Sequence, residues 1–292
     1  MSLWETIATD IHAATGKQAA PGRQDPVGGG CINRAVRLHY GDASYFVKLN
    51  SAGQLDMFAA EAQGLQELRN SHSLRVPEPV CHGVAGQSAY LVLEYLELGG
   101  HGDPVALGEG LARMHRTSAD RFGWLRDNTI GSTPQINTFA DDWIAFWRER
   151  RLRFQLDLAA QHGHGGRLQS EGAKLLDEFP QLFANYAPQA ALLHGDLWSG
   201  NYSYTQDGEP VIFDPAVYFG DREADLAMTE LFGGFSRDFY AAYRNAYPLD
   251  TGYAVRKTLY NLYHVLNHLN LFGGGYLSQA QGMIDALLSE LR

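Results

Sequence analysis

The ten residues Leu192 to Asn201, L-L-H-G-D-L-W-S-G-N, carry an acid at Asp196 and an amide at Asn201. An answering V-I-F-D-P at 211–215 ends a short apolar run on a second acid, Asp214. These residue types in this order suit phosphoryl transfer: one carboxylate orients an attacking hydroxyl and accepts its proton, while an amide and a second carboxylate hold magnesium against phosphates. The five-residue step lets a tight loop aim Asp196 at the acceptor while Asn201 turns back towards the metal. H-G-D alone is a common turn tripeptide, and it is Asn201 and Asp214 that lift the stretch above a turn.

Lys48 and Glu61 form a second constellation. A lysine inside the apolar strand Tyr45 to Leu49 must find a counter-charge, and Glu61, thirteen residues on in an expected helix, can hold its ammonium over the phosphates of a nucleotide. Read in isolation, V-K-L would be a lysine snorkelling at a strand edge. Gly28, Gly29 and Gly30 lie two strands before Lys48 and could let backbone N–H groups approach a triphosphate. That signal is weak, because Asn33 stands where G-x-G-x-x-G needs its last glycine and no G-K-[ST] follows. Asp225 falls on an expected helix, where it can accept backbone N–H bonds from the Asp196 loop or simply be solvated. Arg222 and Glu223 can pair in the same network. His264 and His268 are spaced as H-x-x-x-H, but Val265 replaces the glutamate of a metalloprotease, so their helix reads as packed, with one histidine facing a substrate cleft.

These residues need a scaffold. Ser2 to Glu5 is a capping box opening an amphipathic helix that ends at Gly16. Alternating Val36, Leu38 and Tyr40, the Gly41-Asp42 turn and Tyr45 to Leu49 read as a hairpin behind the glycine loop. A helix over Asp56 to Asn70 follows, then strands at Pro79 to Val84 and Ser88 to Leu96. Gly99 to Gly102 marks a composition break, dividing a β-rich 1–98 from a mainly helical 99–292. In the second part, helices are expected at Thr138 to Gln161, Leu168 to Tyr186, Arg222 to Met228 and Val255 to Phe272, with a hairpin around Asp207-Gly208.

Composition narrows the partners. With 45% hydrophobic and 19% charged residues, the chain reads as globular rather than disordered, and no apolar run approaches the roughly 18 residues of a membrane span. A net charge of -10 argues against general binding to nucleic acid. The first ten residues show no signal-peptide pattern, giving a cytoplasmic expectation. Cys31 and Cys81 cannot by themselves build a disulfide framework or a zinc site.

The motifs H-G-D-L-W-S-G-N, F-D-P-A-V-Y-F-G-D-R-E-A-D-L-A-M and L-N-H-L-N-L-F-G-G-G-Y together resemble the fructosamine-3-kinase (ketosamine-3-kinase) family. That family is a branch of the protein-kinase-like fold related to aminoglycoside phosphotransferases and choline kinases. The resemblance implies an α+β, bilobal architecture: a small β-rich lobe of five strands with one main helix inserted, a larger helical lobe, and an ATP cleft between. By the same likeness Asp196 is the catalytic base, Asn201 and Asp214 bind Mg2+, and Lys48 with Glu61 positions the phosphates. Glu94, Tyr95 and Leu96 would form a hinge that holds adenine through backbone groups. Trp198 stands where protein kinases place a lysine on the γ-phosphate, and it is expected to form a wall of a sugar-amine pocket with His268 opposite.

The implied reaction phosphorylates the 3-hydroxyl of a ketosamine, free or protein-bound, giving a product that falls apart and frees the amine. Another amine- or hydroxyl-bearing metabolite, of aminoglycoside or choline type, is the alternative substrate, and a nucleotide-binding module without turnover is the alternative from a different class. Similar kinases carry a redox-sensitive cysteine in the glycine loop. Cys31 there implies inhibition by oxidation and a redox-linked homodimer as the alternative to a monomer, against the plainer reading of a small residue tolerated in a turn.

Overall fold

The structure, a computed structural model, describes residues 1–28 and 32–292. The expectations placed on Gly29, Gly30 and Cys31 lie outside the described residues. Packing groups the chain into two compact units, Met1–Asp103 with Tyr202–Pro215, and Pro104–Asn201 with Ala216–Arg292. A single cut between residues 98 and 99 therefore does not describe the grouping, because a second segment rejoins the first unit.

The first unit opens with helix α1 (Leu3–Thr15), whose capping box is formed by Ser2 and Glu5. Strands β1 (Pro21–Val27), β2 (Arg34–Tyr40), β3 (Ala43–Ser51), β4 (Pro79–Ala85) and β5 (Ser88–Glu94) make an antiparallel sheet in the order β1-β2-β3-β5-β4. Period-two alternation decides its faces. Val36, Leu38, Tyr40, Tyr45, Val47, Leu49, Tyr90 and Val92 form one core with Ile7 and Ile11 of α1. Lys48 is out of phase with Val47 and Leu49 and meets helix α2 (Leu55–Asn70), which connects β3 to β4. Strand β5 ends at Glu94, two residues before the expected end, where the N–H of Glu94 donates to the carbonyl of Glu78. The hairpin of β9 (Tyr202–Tyr204) and β10 (Pro210–Ile212), named in chain order, joins this unit through bridges from Val211 to Arg75 and from Thr205 to Leu98.

The second unit contains α3 (Pro104–Met114), the short pair β6 (Asn128–Ile130) and β7 (Thr133–Gln135), α4 (Trp143–Trp147), α5 (Phe154–Gln161) and α6 (Arg167–Glu178). After these come β8 (Ala191–Leu193) and β11 (Tyr218–Gly220), paired antiparallel, then α7 (Glu223–Leu231), α8 (Arg237–Ala246), α9 (Tyr253–Phe272) and α10 (Leu277–Glu290). Two expected helices are corrected. The one expected from Thr138 begins at Trp143, because the Asp142 carboxylate caps the Ala145 N–H at 2.6 Å, and it passes through a π-helical turn over Arg148–Arg153. The one expected to reach Tyr186 ends as α-helix at Glu178. Pro180 has no N–H to give to the Leu176 carbonyl, which accepts instead from Arg148 Nε at 2.9 Å. Trp143 and Trp147 anchor the core, Trp147 meeting Tyr260 edge-on at 4.9 Å. No helix of the described residues is long and apolar enough to cross a membrane.

Candidate active site

In the first unit, Lys48 Nζ donates to Glu61 Oε1 at 2.6 Å and to Asp214 Oδ1 at 2.5 Å. Burial by itself would pull the Lys48 ammonium down, but the Asp214 and Glu61 carboxylates reverse that and raise its pKa, so the lysine is charged. Burial pushes Glu61 up against the pull of Lys48. Asp214 follows β10 with φ at +57°, in the left-handed region that aspartate tolerates better than most side chains. Its side chain keeps 45% of its exposure while Lys48 keeps 7%, so one carboxylate oxygen faces the lysine from a half-open position. Gly28 is exposed with open space where a side chain would stand. Glu94 binds Arg75 through its side chain, Tyr95 lies 4.3 Å beneath the Arg37 guanidinium, and Leu96 is half-buried.

In the second unit, β8 delivers the chain to a loop that is hydrogen-bonded on every side. Asp225 on α7 accepts the N–H of His194 at 2.7 Å and of Gly195 at 2.8 Å, which is the brace expected of it. His194, fully buried, accepts the Asp196 N–H on Nδ1 at 3.3 Å. Asn201 closes the turn by donating from Nδ2 to the Asp196 carbonyl at 2.8 Å and to Asp196 Oδ2 at 3.3 Å. Gly195 is required here: its φ is +82°, and a Cβ would lie 2.0 Å from the Ala216 carbonyl oxygen. Leu197 is buried and pins the loop, leaving Asp196 half-buried and Trp198 37% exposed.

Trp198 packs so closely over Gly200 that a Cβ there would fall 2.4 Å from the indole. Its ring meets Phe232 edge-on at 6.3 Å, and Phe232 meets His268 at 4.8 Å. Trp198 and His268 are thus linked through Phe232, a residue the sequence reading did not single out. His268 faces the His264 carbonyl with Nδ1 at 2.8 Å and lies against Phe272 and Tyr276. His264 is buried as expected, and burial followed by the neighbouring His268 lowers its pKa to about 3.

Arg222 and Glu223 do not pair with each other. Glu223 takes Arg256 through two bonds, 2.8 and 3.0 Å, whereas Arg222 donates to the Tyr243 hydroxyl and the Tyr247 carbonyl. The helical geometry accounts for this, since adjacent residues point to different sides.

His115 was also missed. It is buried beyond the end of α3, with Nε2 3.2 Å from Asp225 Oδ2 and Nδ1 2.7 Å from the Tyr243 hydroxyl. The available signal was its place on the apolar stripe Leu107, Leu111, His115, where a polar residue at helical spacing must find partners. Burial alone would raise Asp225, but the hydrogen bond from His115 and the donors of the H-G-D loop hold its carboxyl below the usual range.

Asp214 in the first unit offers carboxylate oxygens and Asn201 in the second an amide oxygen, each among the hard donors that magnesium prefers. The donor chemistry of each residue by itself fits that ion.

An antiparallel sheet with a glutamate-held lysine, together with a helical unit whose Asp-Asn loop is braced from a buried helix, is the arrangement of the protein-kinase-like class of phosphotransferase. A model of the fructosamine kinase family matches residues 3–290. The chain is 48% identical to a probable ketoamine kinase of Synechocystis over 98% of this chain and 97% of that protein. It is 44% identical to the chloroplastic protein-ribulosamine 3-kinase of Arabidopsis thaliana over 91% of this chain and 82% of that one. The crystal structure of a candidate fructosamine-3-kinase from Haemophilus somnus superposes with a TM-score of 0.90 at 28% identity, covering 98% and 97% of the two chains. The chain belongs to the fructosamine kinase family.

Proposed function

We propose that this protein transfers the γ-phosphoryl group of ATP to the 3-hydroxyl of a ketosamine, an amine bearing a rearranged sugar. The carrying observation is the match over nearly the whole chain to relatives named for ketoamine and ribulosamine phosphorylation. The geometry supplies what such a reaction needs. Asp196, held by the Asn201 amide and the Asp225-clamped backbone, orients the 3-hydroxyl and takes its proton. The 3-oxygen bonds to the γ-phosphorus as the bond to the bridging oxygen of ADP breaks. Lys48, fixed by Glu61, neutralises phosphate charge, and Asp214 with Asn201 would hold magnesium, which screens the charge that develops on the phosphates. Backbone groups of residues 94–96 hold adenine, and the exposed Trp198 with Phe232 and His268 faces the sugar-amine. The phosphorylated product is unstable and releases the amine, which amounts to deglycation.

The test is a phosphate-transfer screen with ATP and magnesium over fructosamine, ribulosamine, psicosamine and aminoglycosides, with product position read by NMR. Transfer to the 3-oxygen of a ketosamine is expected, and Asp196→Ala should lower kcat by about 10²–10⁴ while sparing ATP affinity. Transfer to aminoglycosides alone would replace the substrate assignment, and unchanged transfer in Asp196→Ala would remove Asp196 from the mechanism.

A further inference from the structure

We propose that His115 is a positioning residue for phosphoryl transfer, acting through Asp225 to fix the backbone of the loop that carries Asp196. The inference rests on the assignment of Asp196 to the reacting centre and adds the device that holds it in place.

The hydrogen bonds form a directed chain. Arg222 Nη1 donates to the Tyr243 hydroxyl oxygen at 3.0 Å, Tyr243 lies 2.7 Å from His115 Nδ1, and His115 Nε2 lies 3.2 Å from Asp225 Oδ2. Asp225 in turn accepts the N–H groups of His194 and Gly195, one on each oxygen. His115, Asp225 and Tyr243 are at most 1% exposed, so water does not substitute for any link. A carboxylate oxygen opposite Nε2 requires a proton on Nε2. Tyr243 already receives the arginine proton, so its own O–H is free to donate, and Nδ1 is the acceptor it reaches. A neutral Nε2–H imidazole satisfies every atom, and the ring orientation inferred from this network admits no second arrangement of the protons. A doubly protonated ring would leave the Tyr243 proton without its acceptor. Burial, which lowers the basicity of His115, works in the same direction.

The consequence for chemistry is geometric. Asp225 Oδ2 is shared between the His194 N–H and the imidazole, and Oδ1 serves Gly195. The imidazole holds the carboxylate in the one rotation that presents an oxygen to each backbone donor. Without that third donor, the buried carboxylate is short of a partner and turns away from the loop. Asp196 follows directly on Gly195 and moves with it.

The experiment compares wild type with His115→Phe, His115→Gln and Tyr243→Phe. Cooperative thermal melts and circular dichroism establish that each is folded. Amide hydrogen exchange at His194 and Gly195 reads the clamp without substrate, and steady-state kinetics reads kcat and both KM values. His115→Phe keeps an aromatic ring but has no donor. It should exchange at least about tenfold faster at these two amides, and its kcat should fall on the order of 10²-fold with KM for ATP unchanged. His115→Gln, whose amide nitrogen reaches about where Nε2 does, should recover most of both. Tyr243→Phe, which frees Nδ1 while keeping the donor to Asp225, should fall between wild type and His115→Phe. If His115→Phe does not fold, Tyr243→Phe carries the comparison. Wild-type exchange and wild-type kcat in His115→Phe, or in Tyr243→Phe where His115→Phe does not fold, would overturn the proposal and leave His115 as packing. A wild type inactive on every ketosamine would defeat the substrate assignment instead, and the exchange measurement would still decide the clamp.

Discussion

Gly195 shows how much of the site rests on a single missing atom. Its left-handed φ costs an ordinary L-residue about 1–2 kcal/mol, and the Cβ would collide with the Ala216 carbonyl at 2.0 Å. Ala216 is itself tied to the loop, since its N–H donates to the His194 carbonyl at 2.8 Å, so neither side can yield without opening the turn. Gly195→Ala is expected to lose at least about 2 kcal/mol in urea unfolding and to lower kcat on the order of 10²-fold, a displaced Asp196 being the cause. Unaltered activity would mean that the loop adapts elsewhere. The types and order of Asp196, Asn201 and Asp214 pointed from the sequence to phosphoryl transfer, the reaction class of the family, while the role of each residue belongs to the proposal above. What His115 and His194 do was not legible. Their partners lie on elements far along the chain, and nothing local distinguishes a buried histidine with a task from one without.

Among the elements, those governed by a single periodicity were readable. The first hairpin, α2 and α9 follow alternation or a 3.6-residue repeat closely enough to place Lys48 and Glu61. The helices misread at Thr138 and Tyr186 were set by a side-chain cap and a proline, both of which act within an apolar pattern that continues past them. Helix α9 carries a consequence for acid stability. His264 is buried on it with Nδ1 lacking a hydrogen-bond partner among the described residues, and its folded pKa of about 3 lies below the ordinary value of 6.5. The unfolded chain therefore binds a proton that the native state refuses, so this group's contribution is intact above about pH 6.5 and is lost as pH falls towards 3. Urea midpoints measured across that window should fall with acid, and His264→Phe should flatten the slope. An unchanged slope in the variant would place the acid sensitivity in other groups.

At the scale of the molecule, Lys48 ties together three segments distant in sequence: β3, helix α2 through Glu61, and the 202–215 segment through Asp214. Lys48→Met removes the cation and leaves the half-buried Glu61 beside a second acid. The expected cost is about 3–5 kcal/mol in stability. The loss of a phosphate-facing charge should also lower kcat by about 10²–10³. Denaturation read beside kinetics separates the two, since a stabilising background restores the first loss and not the second.

The same segment has a bearing on synthesis. Tyr202–Pro215 packs with Met1–Asp103 although ninety-eight residues of the other unit are made between them. During translation Lys48 can meet Glu61 early, but Asp214 and the β9–β10 hairpin are absent until residue 215 of 292 has left the ribosome. The first unit must therefore wait in an incomplete form, its lysine with one carboxylate and its Arg75 backbone without the bridge to Val211, while the intervening chain is made. Closing a loop of that length costs entropy that only the finished hairpin repays, which makes the nascent N-terminal third a natural client for chaperones.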